Sequence, residues 1–414
     1  MKRQVTDLEF TAVRRRLVFV LFVGAMLGWI AFVSTLTVAT VAARSLTGST
    51  TLAGLPLAAG ALGQALGTNL LGRLSARRGR RFIMVMGPPV SAMGAALELA
   101  GVVWDRYWML VGGAVFVGMG VGAIHLARYA AAELSDDETR GKAVGVLVWS
   151  GTAGSLLGAN LVDGVGKIVE GTMGTPYAGA FLLAVVAFLL SWFTFLVGLR
   201  PDPSTVAVKA EVTPRAGPGG SVGAALMRPS VQLSILALLC AQGAMVLVMT
   251  ATPLRIEDAG YGLNIVGIVF SFHAVGMFAF APLVGRIVDR IGNLTALAIG
   301  ATLTWTSLYL SGTAPYEGYW MLNAGLFLLG LGWSFSFIAG SSMLFAAAPA
   351  DVRQVVEGWA DSAIWTMVMV GSVVTGILMN SIGYGLINLV AAGPPLAIVL
   401  LVLVTPRLRA ELSR

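Results

Sequence analysis

The chain has 414 residues, of which 57% are hydrophobic and only 11% charged, and its net charge is +7. Soluble domains carry about 25% charged residues, so a water-soluble fold of this composition would expose large apolar patches, and lipid is its natural solvent. One cysteine, Cys240, excludes a disulfide within the chain and a thiolate metal cluster.

Arg14-Arg15-Arg16 precedes an apolar run over 17–43. That run is too long for the core of a signal peptide and reads as an uncleaved first span. Further spans of bilayer length are predicted at 52–72, 82–103, 108–132, 142–165, 177–199, 231–253, 264–287, 294–312, 319–347, 355–380 and 385–404. Pro56 and Pro282 fall within these runs, which membrane helices tolerate because neighbouring helices re-satisfy the freed backbone groups. Trp104, Trp108 and Trp320 stand at predicted span ends and read as interface anchors. Between the sixth and seventh spans, 200–229 carries Pro201, Pro203, Pro214 and Gly217-Pro218-Gly219-Gly220, and reads as a flexible linker. The predicted organisation is a six-helix bundle over 1–199, a cytoplasmic linker over 200–229 and a second six-helix bundle over 230–414. Of the 27 Lys and Arg, 22 flank the spans on one side. This asymmetry predicts a multi-pass protein of the plasma (inner) membrane with both termini in the cytoplasm. Basic residues confined to short loops between spans do not suit a nucleic-acid partner.

The two halves carry related loops. Gly72-Arg73-Leu74-Ser75-Ala76-Arg77-Arg78-Gly79 follows the second span, and Gly285-Arg286-Ile287-Val288-Asp289-Arg290-Ile291-Gly292 follows the eighth, 213 residues later. Arg140 and Gly145 recur at the same offset as Arg353 and Gly358. Two loop signatures sharing one offset indicate a parallel duplication, since six crossings return the chain to its starting side.

Through Gly285, Asp289, Arg290 and Gly292, and through Gly72, Arg77, Gly79, Arg80 and Arg81, the chain resembles the major facilitator superfamily. The loop Asp137-Glu138-Thr139-Arg140-Gly141-Lys142 is similar to that family's signature between helices 4 and 5. The resemblance covers essentially the entire chain. It implies an all-α polytopic fold of twelve transmembrane helices, two six-helix bundles related by a parallel pseudo-twofold repeat. It also implies that these loops, with Arg140 and Arg353, form conformational latches in which the acid pairs with a neighbouring helix end. Ala76 stands where the N-terminal copy would carry that acid, so the latch is expected to depend on Asp289. Gly158-Ala159 replaces the Gly-Pro of the family's antiporter signature, and 113–119 lacks the family's early basic residue in the fourth span.

Ionisable groups inside a bilayer are costly and mark pathways or partners. His273, near the middle of the eighth span, is the foremost candidate proton carrier. His125 and Arg128 share a face of the fourth span, and Arg128 suits an anion or a permanent carboxylate partner. Glu133, nearby, reads as an offset to Arg128. Arg353, Glu357, Asp361 and Trp365 follow at intervals of four and form one stripe, with Arg353 and Glu357 expected to pair and Asp361 two turns deeper. A pairing of Asp361 with Arg128 requires the halves to meet there. Glu98 and Asp163 read as solvated rim groups. Gln64, Asn69, Asn160 and Gln242 offer ligand hydrogen bonds or helix–helix contacts. Trp29, Trp149, Trp333 and Trp365 offer an aromatic wall for an amphipathic solute.

Gly118-Met119-Gly120-Val121-Gly122 lies in an apolar helix, without the strand–turn–helix context of a dinucleotide site. Gly164-Val165-Gly166-Lys167 lacks the Ser or Thr of a phosphate-binding loop. The two histidines lack metal-ligand spacing. The expectation is therefore a secondary transporter working by alternating access, not an enzyme, with no cofactor and no metal. Its expected partners are a small-molecule substrate, protons and the lipid bilayer, with no nucleic acid, and the chain is expected to be monomeric. Proton-coupled export of a small organic or amphipathic molecule leads, and proton-coupled uptake of a metabolite follows. A non-transporting receptor or scaffold on the same fold is the alternative from another class.

Overall fold

The computed structural model describes residues 2–48, 52, 54–175, 177–206, 221–261, 263–317 and 319–404. Regular structure among them is entirely helical. The membrane helices are α1 (Lys2–Thr47), α2 (Leu55–Arg78), α3 (Arg80–Val103), α4 (Tyr107–Glu133), α5 (Arg140–Met173), α6 (Ala178–Gly198) and α7 (Pro229–Asp258). α8 comprises Leu263–Ala274, a π-helical turn Val275–Ala279 and Ala281–Ile291. α9 (Asn293–Thr313) and α10 (Trp320–Ala347) follow, and Arg353–Val404 is two helices, α11 and α12, parted at Gly383 (φ 73°, ψ 172°). The chain is thus an all-α polytopic membrane protein, with twelve membrane helices among the described residues. Among the described residues eight of them are long and apolar enough to cross a bilayer by themselves, and α8 makes a ninth when its two parts, bent by 44°, are counted together.

Local chemistry explains the breaks. Pro56 and Pro282 do not interrupt helices; each stands in a first turn, where its missing N–H is not needed. The span predicted at 264–287 is therefore two pieces, joined through the π turn and Phe280. Gly79 (φ 85°) and Gly292 (φ 81°) close α2 and α8 with backbone bonds to Ser75 O and Val288 O. Both take the left-handed conformation that favours glycine, so the duplicated loop turns the same way twice.

Compactness divides the chain into two units. Unit 1 holds Met1–Asp136, Ser150–Gly219 and Ala350–Trp365; unit 2 holds Asp137–Trp149, Gly220–Pro349 and Thr366–Arg414. Each unit thus contains the start of one helix, α11 or α5, from the other sequence half.

Of the segment expected to be a flexible linker, 207–220 lie outside the described residues. The flanks are structured by caps rather than extended. Asp202 caps a 3₁₀ turn, Pro203–Thr205, through Ser204, and accepts a bond from Arg81 N at 3.0 Å. Ser221 caps a short helix, Val222–Leu226.

Candidate functional site

In unit 1 the stripe on α11 faces α4 and α3. Arg128 grips Asp361 with both terminal nitrogens: Nη1 donates to Oδ2 at 3.1 Å and Nη2 to Oδ1. Nη1 also donates to the carbonyl of His125 at 2.6 Å, and Nη2 to the Tyr129 hydroxyl at 2.9 Å. Tyr129 Oη stands 3.5 Å from Asp361 Oδ1. Arg128 and Asp361 are 4% and 1% exposed and Tyr129 is fully buried. Each charge is therefore desolvated and stable only in the other's company.

One turn toward the basic loops, the buried Arg80 donates from Nε to Glu133 at 2.8 Å and from Nη1 to Glu357 at 2.6 Å. Arg80 is the first residue of α3, and the positive-φ turn at Gly79 directly precedes it. Glu133, expected beside Arg128, is the ion partner of Arg80, and Glu357 bonds Arg80 while keeping the expected electrostatic attraction to Arg353; both acids converge on one guanidinium with donors enough for two.

One turn the other way, His125 Nε2 bonds Gln64 Oε1 at 3.0 Å. The imidazole stands edge-on to Trp29 (5.3 Å, 87°) and tilted on Trp365 (4.8 Å, 54°). These three rings keep partial exposure, while the ion pair beside them is buried. The structure thus brings His125, Arg128, Asp361 and Trp365 into one cluster.

In unit 2 the remaining candidates are separate features. Asp289 caps the start of α5: its Oδ1 accepts from Gly141 N at 2.6 Å and its Oδ2 from Lys142 N at 2.8 Å. Such a cap satisfies donors that a helix start leaves open and sets a negative charge at its positive end. Gly285 lies against Gly141 and Lys142 so closely that a side chain there would meet backbone. Arg140 pairs with Asp137 and lies 5.1 Å from the Phe345 ring centroid. His273 is buried, with Nδ1 on the Leu326 carbonyl at 2.8 Å and Nε2 without a hydrogen-bond partner among the described residues. Gln242 accepts from Trp333 Nε1 at 2.9 Å, and Trp333 stacks on Phe337 at 4.3 Å.

Elsewhere, Asn160 is exposed and bonds its own helix at Leu156 O, and Arg77 and Arg290 are exposed. Glu98 is not at a solvated rim: it is 2% exposed, packed on Gly113 of α4, and its Oε2 lacks a partner among the described residues. The helices α3 and α4 approach through small residues there, which seals the carboxylate from water. Sequence reasoning passed over Tyr129, and it read Arg80 only as one of the basic residues of the loop signature. The first is marked only by its place beside Arg128, and the second only by being the one arginine of its loop on a helix's inward face. Among the described residues no group of three or more His, Cys, Asp or Glu is set to hold a metal.

Residues 17–305 and 233–414 match the model of the Major Facilitator Superfamily. The uncharacterized MFS-type transporter YddS of Bacillus subtilis (strain 168) is 28% identical over 379 residues, 90% of this chain and 85% of that one. The riboflavin transporter RfnT of Brucella anthropi is 26% identical, over 92% of this chain and 93% of its own. Among solved structures, the proton:xylose symporter XylE is similar with a TM-score of 0.75, at 16% identity over 94% of this chain and 95% of its own. The human organic anion transporter MFSD10 scores 0.71, also at 16% identity, over 94% and 99%. With its duplicated loops, its twelve helices and a family match that spans both halves, the chain belongs to the major facilitator superfamily of membrane transporters.

Proposed function

We propose that the chain is a monomeric, proton-coupled secondary transporter of a small organic molecule. It works by alternating access in the plasma (inner) membrane, with both termini in the cytoplasm and the bundles 1–199 and 230–414 as its moving halves. The observation that carries this is the buried Arg128–Asp361 pair between α4 and α11. Neither charge is stable alone in that setting, so a proton on Asp361 removes the attraction and frees α11 from α4. Breakage of the Asp289 cap at α5 would accompany the return step, consistent with a latch role for that acid. The Trp29, His125 and Trp365 rings supply contact for an amphipathic cargo. Relatives whose names specify riboflavin or organic anions support an organic cargo.

The sparse charge and abundance of aromatic residues among the candidates favour export. The ion pair favours a second reading, uptake by symport, because a proton that opens Arg128 also opens a place for cargo. The test is flux of a solute panel into proteoliposomes, with and without a pH gradient. We expect gradient-driven accumulation of at least one organic solute. Asp361→Asn should abolish accumulation while leaving solute exchange intact. Flux of every active solute indifferent to the gradient would refute proton coupling, and no flux of any solute would favour the scaffold reading.

A further inference from the structure

We infer that Arg128 is an exchangeable carboxylate seat and that the cargo is a planar aromatic carboxylate, loaded together with one proton. This rests on the transporter reading above and names the substrate class of the same site.

The seat has the right shape. Arg128 presents two parallel N–H donors to the two oxygens of Asp361, the fork that any other carboxylate would use. The other buried arginines are committed differently. Arg80 is shared by Glu133 and Glu357. Arg255 donates to the carbonyl of Ala314, and its guanidinium lies 3.4 Å from the Tyr316 ring centroid. Tyr129 Oη, which accepts from Arg128, holds the guanidinium in position while its acid partner changes.

The surroundings select a flat ring. One turn from the seat along α4 stands His125, and one turn from it along α11 stands Trp365, with Trp29 edge-on to the imidazole. All three are partly exposed, so a ring can stack there with its carboxylate directed at Arg128.

Charge decides what accompanies the cargo. With Asp361 ionised, an incoming anion would leave two carboxylates on one guanidinium in a dry site. With Asp361 protonated, the cargo replaces it and the site stays neutral. The proton comes from water on the loading side and adds to an Asp361 oxygen. The two bonds to Arg128 break, and the cargo carboxylate accepts two in their place. Release reverses each step. The O–H bond is the only covalent bond made or broken. A cationic cargo finds Asp361 already occupied by Arg128. Among the described residues two buried acids keep an open oxygen: Glu357 already carries Arg80, and Glu98 touches α4 at Gly113, about 22 Å along the helix from Arg128 at 1.5 Å per residue.

The experiment uses the purified full chain with three matched probes: naphthoate, uncharged naphthamide and cationic naphthylmethylamine. Binding is read by calorimetry and proton uptake by an indicator dye in weak buffer. We expect naphthoate to bind at least about tenfold more tightly than either control. Its affinity should fall about tenfold per pH unit between about pH 6 and 8, with one proton taken up per ligand. Asp361→Asn should bind naphthoate without pH dependence. That variant leaves Arg128 without its partner, so an Arg128→Gln/Asp361→Asn double variant guards against misfolding; it should lose the preference for naphthoate over naphthamide. Naphthamide binding as tight as naphthoate, or wild-type binding without proton uptake, would overturn the inference. Proton-driven flux of naphthylmethylamine in vesicles, with no naphthoate binding, would overturn it while leaving the transporter reading intact.

Discussion

The start of α11 in unit 1 and the start of α5 in unit 2 are the same backbone joint fastened by different chemistry. In unit 1 Gly358 lies against Gly72, and in unit 2 Gly145 lies against Gly285, each pair displaced from the other by 213 residues. The fastenings do not follow the repeat. Arg80, Glu133, Glu357, Arg128 and Asp361 correspond to Asn293, Ala346, Val144, Ser341 and Val148, none of which ionises. Conversely, the Asp289 cap corresponds to Ala76. The duplication thus preserved close backbone approach, while the two joints acquired different fastenings. One is a buried ionic network. The other is a helix cap worth a fraction of that energy.

The largest expected effect tests the ionic joint. Arg80→Met strands the buried Glu357 and the partly buried Glu133 and should destabilise the protein by about 3–5 kcal/mol. Thermal unfolding in detergent should show a clear drop, and an unchanged midpoint would mean that the network is not what holds unit 1. Next come the shared glycines. A Cβ at Gly358 would lie 2.7 Å from Thr68 O, and one at Gly145 would lie 3.1 Å from the carbonyl carbon of Ala281. Gly358→Ala and Gly145→Ala should each cost about 1–3 kcal/mol. Denaturant titration of the two variants would contradict a common joint if only one were destabilised. Asp289→Asn replaces a charged double acceptor with a single one, at about 1 kcal/mol. Hydrogen exchange should quicken at Gly141 and Lys142 and stay unchanged at the start of α11. Smallest is Ala76→Asp, which restores the missing acid at an exposed site in a joint already tied by Arg80. It should move stability by no more than about 0.5 kcal/mol, and a larger gain would mean that the network leaves the start of α11 underfastened.

Much of the fold was legible because its causes are local. Apolar length marks a span, basic residues mark loops, and a glycine at a fixed offset marks a repeated turn, as Gly79 and Gly292 do. The candidate site was legible only along single helices. Spacing put Asp361 and Trp365 on one face and His125 and Arg128 on another, but Arg128 and Asp361 are 233 residues apart and Arg80 and Glu357 are 277 apart. Reading Glu133 and Glu357 against the nearest arginine in sequence therefore missed Arg80, which bonds both. A desolvated guanidinium collects whichever acids the packing delivers, and packing between helices is not written in the spacing within one. Glu98 misled for the same reason: nearness to a span end says nothing about which small residues close over it.

The π turn of α8 has a consequence for phase. Its five residues, Val275–Ala279, wind more widely than an α-helix, and the part of α8 that carries Asp289 lies beyond them. Rewound as ordinary α-helix, the same residues would rotate that part by about one residue, roughly 100° about its axis. Asp289 would then point away from Gly141 without any change at either position. The angular setting of the cap is thus fixed more than two turns away, by a stretch of helix that contains no acid.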